Sequence, residues 1–412
     1  MSKINILIIG SGHYVTGMTN ISGQRKTDKD SGVFLPAVFA LHAEGFVGEI
    51  GIAARDGAKL LQLKKGMAAL GTKFGWSDEI KLYPRGKMID DSAYRRALSE
   101  MPKPCAALIA VPDFLHKAAM LECVKKGVPF LVVKPAFTRL KDFYAVVKAM
   151  KEKAVFGMVD YHKVFDEANI LLKAEYQSGE YGQINHIYSL MTQRRDMLEI
   201  YERWLKKDKD LNVNHYLGSH YIHLTGFMTG AEPIDVRATA QNGDETDSAR
   251  KKVADIIETH IRWRSPSGHE FVSYHIAGWN DPSETESMTY QEIRLLCENG
   301  HIDSDQRYRG IRKIISGKGY EAPNPYFFNL TRNPLGKLNL NAKYGYLSVK
   351  SFVQAVLDIF SGKSTIREFE KLLPTVAESE KVTAILEAAD YSLKNNSKIV
   401  KIFRRADRYV LH

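Results

Sequence analysis

The sequence predicts an α/β chain in two parts: an N-terminal doubly wound parallel sheet, then an α+β domain with a large, mostly antiparallel open sheet. Three observations predict it. The apolar run Ile4–Ile9 ends abruptly at Gly10, as in a strand buried on both faces. Strand-like and helix-like periods then alternate to about residue 160. Beyond the helical stretch 165–177, alternating strands joined by Gly, Pro, Asn or Ser turns take over.

Taken in order, Ile4–Ile9 is the first strand, Val33–Glu44 carries a helical stripe (Phe34, Leu35, Val38, Phe39, Leu41), and Glu49–Ala53 is the second strand. These make a βαβ unit. Ala106–Val111, Phe130–Val133 and Ala154–Val159 read as further strands, separated by the helical stretches Leu115–Lys126 and Lys141–Lys151. The later strands are Ile184–Thr192, Ile234–Ala240, Ile256–Arg264, Glu270–Ala277 and Glu292–Leu296. The chain closes with helices from Leu347 and over Val376–Leu393, then a basic but strand-like stretch, Lys394–Arg408, broken by Ile399, Val400, Ile402 and Phe403.

A length of 412 residues favours two domains and a smaller third element. The boundaries are placed at 1–155, 156–345 and 346–412. With 44% hydrophobic and 26% charged residues and a mean hydropathy of -0.28, a disordered chain and a membrane bundle are excluded. The net charge of +10 is spread as pairs beside acids, as in Lys206-Lys207-Asp208-Lys209-Asp210, which reads as a solvated helix face, so nucleic-acid binding is not expected. Cys105, Cys123 and Cys297 have no disulfide or zinc spacing, and the apolar run before Gly10 is too short for a signal segment. A cytoplasmic protein without membrane contact is expected.

Gly10-Ser11-Gly12 follows the first strand, where glycines let backbone N–H groups approach a pyrophosphate. Gly10, Gly12 and His13 are therefore candidate cofactor contacts. The third glycine of such a loop is replaced by Val15, and the stretch from His13 to Ser31 delays the helix; Lys26 or Lys29 in it would reach phosphate. After the second strand the sequence Ala54-Arg55-Asp56 puts Arg55 where it would accommodate a 2'-phosphate, so NADP is favoured over NAD, although a one-residue shift would substitute Asp56 and reverse the choice. His215, His220 and His223 lie close together, but no Cys or paired acid accompanies them and no metal site is expected.

The stretches Val111-Pro112-Asp113-Phe114-Leu115-His116 and Val133-Lys134-Pro135 resemble the TPNxxH and EKP motifs of the Gfo/Idh/MocA oxidoreductases, the family of glucose-fructose oxidoreductase and inositol dehydrogenase. Asp160-Tyr161-His162-Lys163, Ser178-Gly179-Glu180-Tyr181-Gly182 and Gly218-Ser219-His220-Tyr221-Ile222-His223 are similar to later segments of that family, and the likeness extends to Glu298–Gly310. The resemblance implies a Rossmann domain binding NAD or NADP, with Val111, Pro112, His116, Lys134 and Pro135 lining the cofactor. It implies hydride transfer between nicotinamide and a sugar, sugar acid or polyol, with Lys134 on the reacting hydroxyl and His220 as proton acceptor. Two positions depart: Val133 stands for the motif glutamate, and Tyr216 for the aspartate that normally works with the histidine, so the catalytic set becomes Lys134, Tyr216 and His220.

Tyr161, His162, Arg194 and Arg195 are candidate substrate contacts; the two arginines would suit an anionic sugar, with a strand end solvated beside Asp196 as the plainer alternative. The resemblance further implies a homodimer or homotetramer formed through the open sheet of the second domain. Two other functions stay open: glycoside hydrolysis through transient oxidation on a retained NAD, and a silent nucleotide-binding sensor.

Overall fold

The computed structural model describes residues 3–17, 32–198, 211–242, 253–316, 319–341 and 343–412. The chain divides into two units: residues 1–136, 142–165 and 326–378 form the first, and 137–141, 166–325 and 379–412 the second. The stretch 346–412 therefore does not stand apart as a third element. Its helix Tyr344–Phe360 sends Phe352 into the core of the first unit, stacked on Phe156 at 6.1 Å. Its helix Glu380–Lys394 belongs to the second, where the Ser392 hydroxyl accepts a hydrogen bond from the Ala238 N–H at 2.9 Å.

The first unit is built on six parallel strands: β1 Ile4–Ile9, β2 Val47–Ala53, β3 Lys81–Tyr83, β4 Cys105–Ile109, β5 Phe130–Val133 and β6 Gly157–Asp160. Their order is β3-β2-β1-β4-β5-β6, so the winding reverses between β1 and β4. Near-continuous apolar strands such as β1 fit here because helices cover both faces of a parallel sheet. The helix Phe34–Ala43 is buried over Phe34–Leu41 for the same reason.

Three boundaries shift, each for a local reason. Ala154 turns with φ 49°, so the sixth strand starts at Gly157 rather than Ala154. A 3-10 turn, His162–Phe165, precedes the helix Glu167–Gln177, whose N-terminus is capped by the Asp166 carboxylate. Val376 does not begin a helix: its N–H donates to Gly157 and the Pro374 carbonyl accepts from Val159, so this stretch extends the edge of β6.

Among the described residues, the main sheet of the second unit has eight strands in the order β12-β11-β7-β10-β9-β8-β15-β16. They are β7 Ile184–Arg194, β8 Glu232–Asn242, β9 Ala254–Arg264, β10 Glu270–Asp281, β11 Thr289–Cys297, β12 Gly300–Asp305, β15 Val400–Arg405 and β16 Arg408–Leu411; β13 Lys313–Ile315 and β14 Gly319–Glu321 form a separate ribbon. Among the described residues, only β7 and β10 of this sheet pair in parallel. The basic C-terminal stretch is the expected strand, closing the sheet beside β8. The Lys206–Asp210 run lies outside the described residues.

Candidate active site

In the first unit the glycine loop sits at the reversal of strand order, the carboxyl ends of β1 and β4, where open α/β sheets bind ligands. Gly10 has φ +121°, and a Cβ there would lie 2.1 Å from the Ala110 carbonyl oxygen, so only glycine fits. Gly12 differs: among the described residues, a Cβ on it would meet nothing within 4 Å, so none of them requires that glycine, whose bare backbone suits the close approach of a pyrophosphate. The residues present thus fit a dinucleotide.

After one helical turn, His13–Thr16, the chain leaves at Gly17 and returns at Gly32, where a Cβ would meet the Gly17 nitrogen at 2.5 Å. The Val33 N–H then donates to the Tyr14 carbonyl at 2.7 Å. The two ends of the inserted stretch therefore touch, and the delayed helix Phe34–Ala43 starts where the first turn stopped. Val15, in place of the third glycine, is fully buried in the core. Lys26 and Lys29 lie outside the described residues.

Behind the loop, Asp160 at the end of β6 is 1% exposed and accepts hydrogen bonds from the Tyr14 hydroxyl (2.5 Å) and the Ser348 hydroxyl (2.6 Å). His162 Nδ1 lies 3.7 Å from the same carboxylate and 3.3 Å from the Tyr14 oxygen. Burial pushes the Asp160 carboxyl up, but His162, Ser348 and Tyr14 together outweigh it and hold it below the usual range. His162, stacked on Tyr344 and 8% exposed, is thus part of an internal network, and Tyr161 is 1% exposed. Both candidate substrate contacts are thus buried among the described residues, and His162 takes part in internal polar contacts.

His116 is fully buried and bridges two loops, with Nε2 2.9 Å from the Val111 carbonyl oxygen and Nδ1 3.0 Å from that of Pro135. It ties the turn after β4, with Pro112, to the segment after β5 that begins with the half-buried Lys134. At the end of β2, Arg55 is exposed and pairs with Asp91 at 2.8 Å. Asp56, the competitor for the ribose position, spends its Oδ1 accepting from the Lys59 N–H at 3.1 Å as the N-cap of the helix Gly57–Thr72.

In the second unit, a π-helical turn, Asn214–Gly218, runs into the helix Ser219–Thr229. His220 and His223 are buried on that helix, and the Tyr216 ring stacks on Trp279 at 5.5 Å. Among the described residues, no group of three or more His, Cys, Asp or Glu could hold a metal. The arginine pair is not a free fork. Arg194 is bidentate on Asp196 (3.3 and 3.1 Å), and Arg195 reaches Asp255 at 3.2 Å. Asp196 is the partner that the plainer alternative gave Arg194, but Arg194 is buried rather than solvated.

Residues that the sequence did not single out also stand out. Asp390, on the helix Glu380–Lys394, is 5% exposed and lies 3.1 Å from His215 Nε2, 2.6 Å from an Arg139 nitrogen and 2.9 Å from Asn212 Nδ2. Burial pushes its carboxyl up, but His215 and then Arg139 more than offset that and lower it. The available signal was the acids Glu387 and Asp390 among the apolar residues Ile385, Leu386, Ala388 and Ala389.

A parallel sheet with a steric glycine loop at its switch point is the architecture of a dinucleotide-binding domain. Residues 4–161 match the family described as "Oxidoreductase family, NAD-binding Rossmann fold", so this stretch is similar to the NAD-binding domain of the Gfo/Idh/MocA family. No curated protein matches the chain by sequence. Among solved structures, the fold is shared with scyllo-inositol dehydrogenase from Lactobacillus casei with bound NAD(H) and scyllo-inositol, at TM-score 0.67 and 14% identity over 97% of this chain and 99% of that one. Myo-inositol 2-dehydrogenase from Lactobacillus plantarum gives TM-score 0.68 and 14% identity over 98% and 100%. Aldose-aldose oxidoreductase from Caulobacter crescentus, complexed with glycerol, gives TM-score 0.64 and 15% identity over 97% and 100%. Among the described residues, no helix is long and apolar enough to cross a membrane.

Proposed function

We propose that the protein is an NAD(P)-dependent dehydrogenase or reductase acting on a secondary alcohol or carbonyl of a sugar, sugar acid or polyol. The observation that carries this reading is Gly10 at the switch point, within the stretch that matches the NAD-binding family. The names of the structural neighbours support the substrate class. A bound nicotinamide supplies the acceptor for hydride. Gly10, Gly12 and His13 hold its phosphates, while Val111, Pro112, His116 and Pro135 shape the wall beside it. Lys134 donates a hydrogen bond from its ammonium group to the reacting oxygen and stabilises negative charge there. His220 takes the hydroxyl proton in the oxidative direction and returns it in reduction, with Tyr216 assisting.

NADP is the favoured cofactor. Asp56 is committed to capping its helix, whereas the exposed Arg55–Asp91 pair is held weakly enough to yield to a 2'-phosphate. The protein is read as a cytoplasmic homodimer or homotetramer assembled through the open sheet of the second unit, which sedimentation tests.

Fluorescence titration with NADH and NADPH, followed by turnover on a panel of polyols and sugars, tests the function. Binding followed by hydride transfer supports it, and Lys134→Ala and His220→Ala then each lower turnover by about 10²-fold or more while nucleotide affinity holds. Full turnover in both variants refutes the mechanism. Glycoside cleavage without net redox change on a retained NAD replaces it with hydrolysis, and binding without hydride transfer replaces it with a sensor.

A further inference from the structure

The glycine loop of the first unit runs into a single helical turn, His13–Thr16, and the covalent chain leaves that turn at Gly17 and comes back to it at Gly32, just before the helix Phe34–Ala43. A lone turn does not hold itself, since closing it fixes several residues for little hydrogen bonding. Inside this one, the Val15 and Thr16 N–H groups donate to the Gly12 carbonyl at 3.1 and 3.2 Å, and the Gly17 N–H donates to the His13 carbonyl at 2.8 Å. The backbone of Gly12 and His13 is thus tied to the turn, and its orientation follows from whatever anchors the turn to the rest of the unit.

Tyr14 is that anchor, through its carbonyl, its ring and its hydroxyl. The carbonyl accepts from the Val33 N–H at 2.7 Å, joining the turn to the start of the next helix across the break in the chain. The ring meets the fully buried Phe34 edge-on, with centroids 5.2 Å apart. The hydroxyl donates to Asp160 Oδ2 at 2.5 Å, and His162 Nδ1 lies 3.3 Å from the same tyrosine oxygen. Asp160 ends β6, the third strand over from β1 in the sheet, so this bond braces the loop after β1 against the far part of the same carboxyl edge. The acceptor is itself fixed, because its other oxygen takes the Ser348 hydroxyl at 2.6 Å and the residue is buried. A hydrogen bond to a buried carboxylate is among the stronger contacts a neutral side chain makes.

We propose that Tyr14, braced by Asp160, is a positioning residue for the dinucleotide: its hydroxyl holds the turn so that the backbone of Gly12 and His13 stands in place for the pyrophosphate. It acts through those two residues rather than on the ligand. The inference rests on the reading of the glycine loop as the nucleotide site. Because the pyrophosphate is common to both nicotinamide dinucleotides, Tyr14 serves NADH and NADPH alike, in contrast to Arg55, whose proposed contact is with the 2'-phosphate alone.

Fluorescence titration of the full-length protein tests it. Tyr14→Phe, shown to be folded by circular dichroism, is expected to weaken NADH and NADPH by the same factor, about tenfold, a part of what a hydrogen bond to a charged partner supplies. Tyr346→Phe is the matched control. It too removes a tyrosine hydroxyl from a carboxylate of this unit, Glu44, but at the opposite end of the helix Phe34–Ala43, and its nucleotide affinity is expected to stay within about twofold of the parent. Asp160→Asn, which keeps the shape and removes the charge, should weaken binding by no more than Tyr14→Phe does, and the double variant by no more than Tyr14→Phe alone. On a substrate that is turned over, the nucleotide KM rises in Tyr14→Phe while kcat at saturating nucleotide stays within about threefold. If one of these variants does not fold, the other decides. Unchanged affinity in folded Tyr14→Phe or Asp160→Asn, additive losses, an equal loss in Tyr346→Phe, or a loss confined to one of the two nucleotides overturns the inference and leaves the nucleotide site standing. A parent protein that binds neither nucleotide instead removes the proposed function, and this inference falls with it.

Discussion

Acidification offers a quantitative test of the sheet interior of the second unit. His275 on β10 is 1% exposed and sits between two hydroxyls, Ser189 at 2.7 Å from Nδ1 and Ser273 at 2.8 Å from Nε2, with Ser273 also accepting from the Trp263 indole at 2.7 Å. A neutral ring satisfies this chain, one nitrogen donating and the other accepting. Burial, and then nearby His186, pushes its pKa from 6.5 down to about 3. The folded protein therefore keeps the ring neutral while the unfolded chain protonates it, so stability falls as the pH drops below 6.5 and keeps falling toward about 3. Each pH unit in that window costs about 1.4 kcal/mol, or roughly 2 kcal/mol between about pH 7 and about pH 5. Urea unfolding of the parent and of His275→Gln at both pH values isolates the term. His186 and His260, also lowered by burial, titrate in both proteins and cancel. The variant is expected to lose about 2 kcal/mol less than the parent on acidification; equal losses would refute the assignment of a buried, neutral His275.

Other consequences can be checked at single positions. Gly10→Ala, whose Cβ would meet the Ala110 carbonyl at 2.1 Å, should abolish NADH and NADPH binding or prevent folding, as read by titration and circular dichroism. Arg55→Ala should weaken NADPH binding by about tenfold while leaving NADH nearly unchanged, the size of a lost charge-assisted contact. Tyr14→Phe should cost about 1.5–3 kcal/mol by removing a hydrogen bond to a buried carboxylate. Because the Asp160 carboxyl is lowered in the folded state, its contribution is present above the unfolded value of 3.8 and is lost as the pH falls through the lower folded value. The Tyr14→Phe deficit should shrink over that window in urea titrations.

Local patterns carried much of the fold. The unbroken run Ile4–Ile9 followed by Gly10-Ser11-Gly12 was readable because burial on both strand faces leaves an apolar signature within a few residues. The alternating strands of the second unit were readable for the same reason, each writing its own period of two. Element ends were less so, since Val376 looks helical until its N–H is seen to pair with Gly157.

What the sequence by itself determined was the glycine loop and much of the order of strands and helices, though not the helix Gly57–Thr72, β3 or the helix Ala93–Glu100 between the second and fourth strands. Tertiary structure decided which charges are free and which are spent. Arg195 is paired with Asp255, Tyr14 with Asp160, and Asp390 with His215, partners 60 or more residues apart along the chain. Periodicity reports which face of an element is buried, whereas the partner of a buried charge is set by which distant element the fold packs against it, and the energy of that charge depends on the partner.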